Sequence, residues 1–333
     1  MSQTVLVTGG AGYIGSHACK ALARAGYLPV AYDNLSRGHR HAVRWGPLVE
    51  GDVADRERLT AALRAHRVSS VMHFAAFAYV GESGTDPALY YRNNVAGTLA
   101  LLDAMREVGI ARIVFSSTCA TYGLPEAMPI TETMPQRPVN PYGETKLAIE
   151  RALHWYDAAY ALRSVALRYF NAAGCDREAE IGEEHEPETH LIPLTLRAAL
   201  GTAPPVAIFG ADYPTPDGTA IRDYVHVEDL ASAHVLALDY LARGGASTAL
   251  NLATGRGYSV REIIAAVAAA AGRAVPHREA PRRPGDPPQL VADPSRALAV
   301  LGWRAECSDL ETIIGSALAW ERRRHNAAGG AAE

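Results

Sequence analysis

The sequence predicts an α/β protein: a doubly wound parallel sheet with a smaller C-terminal lobe beside it. Three observations carry this. Short β-rich runs alternate with longer amphipathic helical patterns through the first half of the chain. A glycine cluster stands between the first run and the first helical pattern. After residue 171 the texture turns polar and rich in proline and glycine.

In chain order, "TVLVTG" (4–9), "LPVAYD" (28–33), "VMHFA" (71–75), "RIVFSST" (112–118) and "SVALRYF" (164–170) read as buried parallel strands. The patterns "GSHACKALARAG", "DRERLTAALRAHR" and "YYRNNVAGTLALLDAMREVG" between them place apolar residues at helical spacing. The alternation implies right-handed βαβ units. The first domain therefore spans 1–171, and segments near 222–255, with "YVHVEDLASAHVLALDYLARG" and "TALNLATG", return to it. The second lobe takes 172–333, interleaved with the first, and its loops "APPVAIFGADYPTPDG" and "REAPRRPGDPPQL" suit a pocket wall.

The chain has 333 residues, 48% of them hydrophobic and 20% charged, with a net charge of −4, enough for two lobes with real cores. That charge, without any Lys/Arg block, argues against nucleic acid as a partner. The four cysteines, Cys19, Cys119, Cys175 and Cys307, form no closely spaced pair, as expected of a reduced cytoplasmic protein. The N-terminus lacks the pattern of a signal peptide, and no apolar run reaches the roughly 18 residues that cross a membrane. The ending "NAAGGAAE" reads as a disordered tail.

"VLVTGGAGYIGSH" sets Gly10, Gly12 and Gly15 in a G-x-G-x-x-G pattern, with Gly9 before them, directly after a strand and opening a helix. That context is the Rossmann-type dinucleotide signature: glycines permit a tight turn and close approach of a pyrophosphate, which then faces the helix N-terminus. Asp33 closes the second strand, where a carboxylate holds the adenosine ribose hydroxyls and repels a 2′-phosphate; the expected cofactor is NAD. Arg37 stands close enough to blur that choice slightly. Asp52, in "GDV", either contacts adenine or is a turn residue.

The chemistry centres on "NPYGETK". Asn140 can cap a helix and Pro141 suits its first position, so Tyr142 and Lys146, four apart, share a face. An ammonium beside a phenol favours phenolate and lowers its pKa from ~10. "RIVFSST" ends at the sheet's carboxyl edge and brings Ser116 and Thr118 to the same crevice. Tyr142 is then the proton acceptor of a hydride-transfer site, Lys146 the residue that tunes it and holds the nicotinamide ribose, and Thr118 a hydroxyl on the substrate oxygen or merely a satisfied strand end.

Over essentially its full length the chain resembles the extended short-chain dehydrogenase/reductase family, and within it the UDP-sugar 4-epimerases. "TGGAGYIGSH", "YDNLSRGH", "NNVAGTL", "FSSTCATYG", "NPYGETK", "LRYFNAAG", "DYPTPDGTAIRDYVHV" and "RRPGDPP" carry the likeness. It implies reversible 4-epimerisation of UDP-glucose and UDP-galactose through a 4-keto sugar, with tightly held NAD. It also implies NAD contacts from Gly9, Gly12, Tyr13, Ile14, Asp33, Asn34, Asp52, Val53, Phe74, Ala75, Asn93, Ser116, Tyr142, Lys146 and Phe170. Asn171, Leu191, Ala207, Phe209, Arg222, Arg283 and Asp286 fall where relatives bind the UDP moiety, and the two arginines suit a diphosphate.

The sequence departs from the family twice. Ala78 stands where some members have a cofactor-side lysine, and Leu290 where some have a tyrosine limiting the sugar pocket. A pentose substrate, UDP-xylose or UDP-arabinose, is the nearest alternative. A 4,6-dehydratase fits less well, because Cys119 and Ala120 replace the Asp-Glu that follows the threonine there. A non-catalytic NAD-sensing protein would be expected to lack the tyrosine or the lysine. In the family, the long helices over 85–107 and 142–160 pair into a homodimer interface. His185 and His190 in "GEEHEPETH" match no standard zinc spacing, so no metal is expected.

Overall fold

The computed structural model describes residues 3–283 and 285–329. Six strands, β1 (Thr4–Thr8), β2 (Leu28–Asp33), β3 (Leu48–Glu50), β4 (Val68–His73), β5 (Arg112–Thr118) and β6 (Arg163–Tyr169), join the strand Thr248–Leu252 in one parallel sheet. The order is Thr248–Leu252, β6, β5, β4, β1, β2, β3. The chain runs outward from β1 through β2 and β3, then crosses to β4 on the other side of β1. That reversal opens a crevice at the carboxyl ends of β1 and β4, the ligand position of open α/β sheets.

Alternation along β1 explains the layers. Val5 and Val7 face one side, against Ala18 and Leu22 of the helix Tyr13–Arg24 and Leu230, Ala237 and Leu241 of the helix Val227–Ala242. Leu6 faces the other side, with Leu59, Leu63, Leu101, Met105, Ile149 and Leu153 from three further helices. A third core gathers Ile192, Leu196, Ile208, Tyr224, Ile263, Val267, Ile313 and Leu318. Its helix Val260–Ala271 starts with a capping box, Ser259 with Glu262, and ends at Gly272 with φ +67°. Beside it lies a small sheet in which Ile221–His226 pairs with Asn171–Ala173, Gly257–Ser259 and Gln289–Leu290.

The structure departs from the sequence expectations at two places. The run after Pro87 is not a plain α-helix: a π-helical segment, Tyr91–Ala96, separates Pro87–Tyr90 from Gly97–Val108. Such wide turns are commonly found at functional sites. The ending is also more ordered than its composition suggests. The helix Leu310–Gly329 runs through 326–329, anchored by Ile313, Ile314, Ala317, Leu318 and Trp320, while 330–333 lie outside the described residues. Among the described residues no helix is long and apolar enough to cross a membrane.

Candidate active site and cofactor cleft

The glycine turn is held by close packing. Gly9 has φ +72°, and a Cβ there would stand 2.7 Å from the Ala75 nitrogen. A Cβ on Gly15 would lie 2.1 Å from the Gly9 carbonyl oxygen. The backbone N–H groups of Phe74 and Ala75 both donate to the Thr8 carbonyl, at 2.9 and 3.1 Å, which locks the end of β4 onto the turn. The helix that follows begins at Gly12 with no side-chain cap and no acidic residue in its first turn. Its positive end and first N–H groups therefore face the crevice, a fit for a pyrophosphate. Tyr13 donates to the Gly174 carbonyl at 2.5 Å, and Ile14 packs on the core beneath.

Asp33 lies at the end of β2, 8% exposed. Its two oxygens accept from the Ala11 and Leu35 N–H groups at 3.0 and 2.9 Å, leaving lone pairs free for hydroxyl donors. Burial nonetheless pushes its pKa up. Arg37 does not compete for the ribose position: it pairs with Glu82 at 2.7 Å and stacks over Tyr79. Asp52 is exposed and is a turn residue by its bonds, accepting from the Ala54 N–H at 2.8 Å. Its other oxygen takes the Asn34 amide at 2.9 Å. Val53 is core, packed against Gly97.

At the nicotinamide end, Asn140 caps the helix Pro141–Tyr160 by accepting from the Gly143 N–H at 2.9 Å. This sets Tyr142, half-buried, and Lys146, 2% exposed, on one face. Thr118, 7% exposed, ends β5 and caps the short turn Cys119–Tyr122. The Lys146 ammonium donates to the Ser116 carbonyl at 2.8 Å and sits 5.9 Å from the Tyr142 ring centre. Ser116 Oγ and Tyr169 Oη lie 2.5 Å apart. Phe170 is buried in a cluster with Tyr122, Ile130, Ala253 and Ala292, against which Leu290 and Cys119 pack.

One electrostatic expectation is corrected. Burial dominates at Tyr142 and pushes its pKa well above that of a free phenol; the Thr118 hydroxyl opposes the rise only partly. Burial likewise lowers Lys146 to about 7, against the Glu150 carboxylate. The lysine is thus a weak source of positive charge for the phenol in the protein alone.

With this geometry in view, the comparisons with known proteins fall into place. The profile of the "NAD dependent epimerase/dehydratase family" matches residues 5–253. The chain belongs to that family. It is 54% identical to the UDP-glucose 4-epimerase of Rhizobium leguminosarum bv. trifolii, over 96% of this chain and 98% of that protein. The crystal structure of UDP-glucose 4-epimerase from Brucella ovis in complex with NAD superposes with a TM-score of 0.94, at 55% identity over 96% and 98% of the two chains. That of the Bifidobacterium longum enzyme in complex with NAD⁺ and UDP gives 0.93, at 38% identity over 97% and 99%.

This family member brings its predicted nucleotide-side residues together from distant segments. Leu290 pairs in register with Arg222, and Asn171 with Tyr224, on the same strand Ile221–His226. Arg222 is held by the Asp286 carboxylate and by the Pro287 carbonyl at 2.9 Å, so Asp286 orients the arginine. Ala207 and Phe209 share one half-exposed face of the strand Val206–Phe209, and the Arg283 guanidinium lies over the Phe209 ring at 4.0 Å. Leu191 opens the helix Leu191–Leu200. Asn93 donates to Asn94 Oδ1 at 2.9 Å.

Sequence reasoning missed the residues behind the site. Asn94, fully buried in the π-helical turn, bonds the backbone of Phe77 through both amide atoms and reaches Thr145 Oγ1 at 3.2 Å. His73 links Thr8 and Thr98 at 2.6 and 2.8 Å, and burial keeps it neutral by lowering its pKa to about 3. Glu150 joins Arg168 at 2.6 Å and Ser117 at 2.5 Å, tying the helix Pro141–Tyr160 to the end of β5. Glu150 lies one turn after Lys146, a spacing readable in sequence; its partners Arg168 and Ser117 were not.

Proposed function

We propose that this protein interconverts UDP-glucose and UDP-galactose by reversible oxidation at carbon 4 of the sugar. One observation carries the reading: Tyr142, Lys146 and Thr118 converge at the carboxyl edge of the sheet, beside an uncapped helix N-terminus and a buried carboxylate suited to NAD. Gly9, Gly12, Tyr13, Ile14, Gly15, Asp33 and Asn34 hold the dinucleotide, with Asp52, Val53, Phe74, Ala75, Asn93, Ser116 and Phe170 around it. When bound there, NAD would supply a reversible hydride acceptor for carbon 4.

Tyr142 takes the proton of the 4-hydroxyl and returns it to the 4-keto sugar. Thr118 hydrogen-bonds the same oxygen and keeps it in line with the phenol. Burial raises the phenol's pKa, so the phenolate that accepts the proton depends on positive charge in the cleft, from Lys146 together with the cationic nicotinamide ring that bound NAD would supply. Lys146 is already fixed by the Ser116 carbonyl, so its amine is in place before substrate arrives.

Arg222 and Arg283 neutralise the diphosphate, while Asn171, Leu191, Ala207, Phe209 and Asp286 line the uridine side. Leu290 bounds the space in which the ketone turns over to present its other face. The sequence-read division, 1–171 with 222–255 for cofactor and the rest for nucleotide sugar, is kept with two changes: Asn171 and Arg222 sit on the small sheet beside the nucleotide sugar, and Ala297, Leu301 and Trp303 pack on the cofactor lobe's core. The working unit is a homodimer: Tyr91, Leu99, Trp155 and Tyr160 leave apolar surface on the two long helices, with Trp155 68% exposed.

The test uses purified protein and UDP-galactose with no added cofactor, followed by chromatography of the products. Formation of UDP-glucose is the expected outcome. Folded protein that carries NAD, or is supplied with it, and yet forms no product would overturn the reading. Light scattering of the same sample reads the dimer.

A further inference from the structure

Outside the cleft, the segment Glu183–His190 folds two imidazoles and two carboxylates onto one point. His190 Nδ1 lies 2.6 Å from Glu183 Oε1 and 3.3 Å from Glu188 Oε1; His185 Nδ1 lies 3.1 and 3.8 Å from the same two oxygens. All four donor atoms fall within 4.8 Å of one another. A tetrahedral ion with bonds of about 2.0–2.1 Å has donor–donor edges of about 3.3 Å, so the four measured edges bracket that value.

The acids are not surface groups: the side chains of Glu183 and Glu188 are 5% and 3% exposed. Glu188 Oε1 also accepts from the Thr189 and His190 N–H groups, but one oxygen of the cluster is left over. Glu188 Oε2 is buried without a hydrogen-bond partner, 3.6 Å from Arg197 Nη2, which lies closer to Glu321 Oε1 at 2.9 Å. A buried carboxylate with one oxygen unsatisfied favours a cation that can use it.

We propose that Glu183, His185, Glu188 and His190 bind one divalent cation of the zinc class in a structural site. Two imidazoles with two carboxylates suit zinc better than magnesium or calcium, which prefer all-oxygen shells. The four protein donors leave no open position, so the ion is structural. Its place explains its use. His185 stands edge-on to Tyr13 and Tyr79, each at 6.0 Å, the Pro187 carbonyl accepts from Tyr79 Oη at 3.2 Å, and His39 Nε2 meets the Glu184 carbonyl at 3.0 Å. Leu191 follows directly. The ion thus pins the segment that joins the glycine turn to the nucleotide side.

The test takes untagged protein with its NAD, strips it with EDTA, and titrates it with zinc chloride against a chromophoric chelator. We expect one zinc per chain, a melting temperature that rises on zinc addition, and no competition from millimolar magnesium. His185→Gln and Glu188→Gln should each weaken zinc at least 100-fold while NAD stays bound. Wild-type protein that takes up no stoichiometric zinc, or magnesium that displaces it, overturns the proposal. So does unchanged affinity in both variants, which would move the ion to His39, His41 and Glu184. Should a variant not fold, X-ray absorption on the wild type decides: two imidazole nitrogens and two oxygens are expected, and a sulfur-containing or all-oxygen shell refutes the site.

Discussion

The cofactor end and the nucleotide-sugar end of the cleft are built by different means. At the cofactor end, each recognised motif sits at the end of a strand of one parallel sheet: Gly9 after β1, Asp33 on β2, Phe74 after β4, Thr118 on β5. Sheet order alone brings these ends together. At the other end, Asn171, Arg222 and Leu290 come from short strands far apart in the chain, and they meet only because the strand Ile221–His226 pairs with both other segments. Positions at the first end are over-determined by backbone packing. At the second they depend on a few side-chain bonds, such as Asp286 to Arg222. Changes at the first end should therefore act on chemistry with the fold intact, and changes at the second on binding.

Tyr142→Phe tests the first half of this comparison most severely. Removing the hydroxyl takes away the proton acceptor and leaves the ring, so kcat should fall roughly 10²–10⁴-fold with NAD content unchanged. Retained turnover by chromatographic assay would remove Tyr142 from that role. Lys146→Met should be severely impaired too, with its pH–rate profile displaced to higher pH.

At the opposite end, Arg222→Ala should raise KM for UDP-galactose about 10–100-fold with a smaller effect on kcat, the loss expected for a charge-assisted contact of ~1.5–3 kcal/mol. A fall in kcat alone, with KM unchanged, would show that the two ends are not separable.

A further test concerns stability. Lys146 has a folded pKa of about 7, depressed from 10.5, so between those values the unfolded chain binds more protons. Stability from this group therefore rises with pH from about 7 toward 10, by at most ~1.4 kcal/mol per unit. Denaturant melts of NAD-free wild type should show this gain, and Lys146→Met should lack it. Parallel pH dependences would mean that the amine titrates normally in the fold.

The smallest effect is expected at Leu290. The wild type is expected to epimerise UDP-N-acetylglucosamine as well, and Leu290→Tyr, narrowing the space beside Phe170 and Cys119, should lower that activity while sparing UDP-galactose. Equal loss of both activities would make Leu290 a packing residue only.

How much of this was legible follows from the range of each interaction. The glycine turn, Asp33, the Asn140 cap and the Tyr142–Lys146 face are local, and a residue's neighbours in sequence determine them. The π-helical turn at Tyr91–Ala96 escaped notice because its cause is not local: Asn94 must reach both the Phe77 backbone and Thr145. The ordered end of the helix Leu310–Gly329 escaped because Ile313 and Trp320 pack on the third core, which composition cannot reveal.

By itself, then, the sequence determined the alternating elements, the dinucleotide turn and the pairing of tyrosine with lysine, because spacing along a strand or helix translates directly into direction. Tertiary structure alone decided the direction in which each member of that pair is shifted. Burial, absent from the sequence, raises Tyr142 and lowers Lys146 against the expected attraction between them, since moving an ionised group out of water costs more than a neutralised neighbour returns. It alone also decided that Glu183, His185, Glu188 and His190, unremarkable in their spacing, would meet at one point with both carboxylates buried.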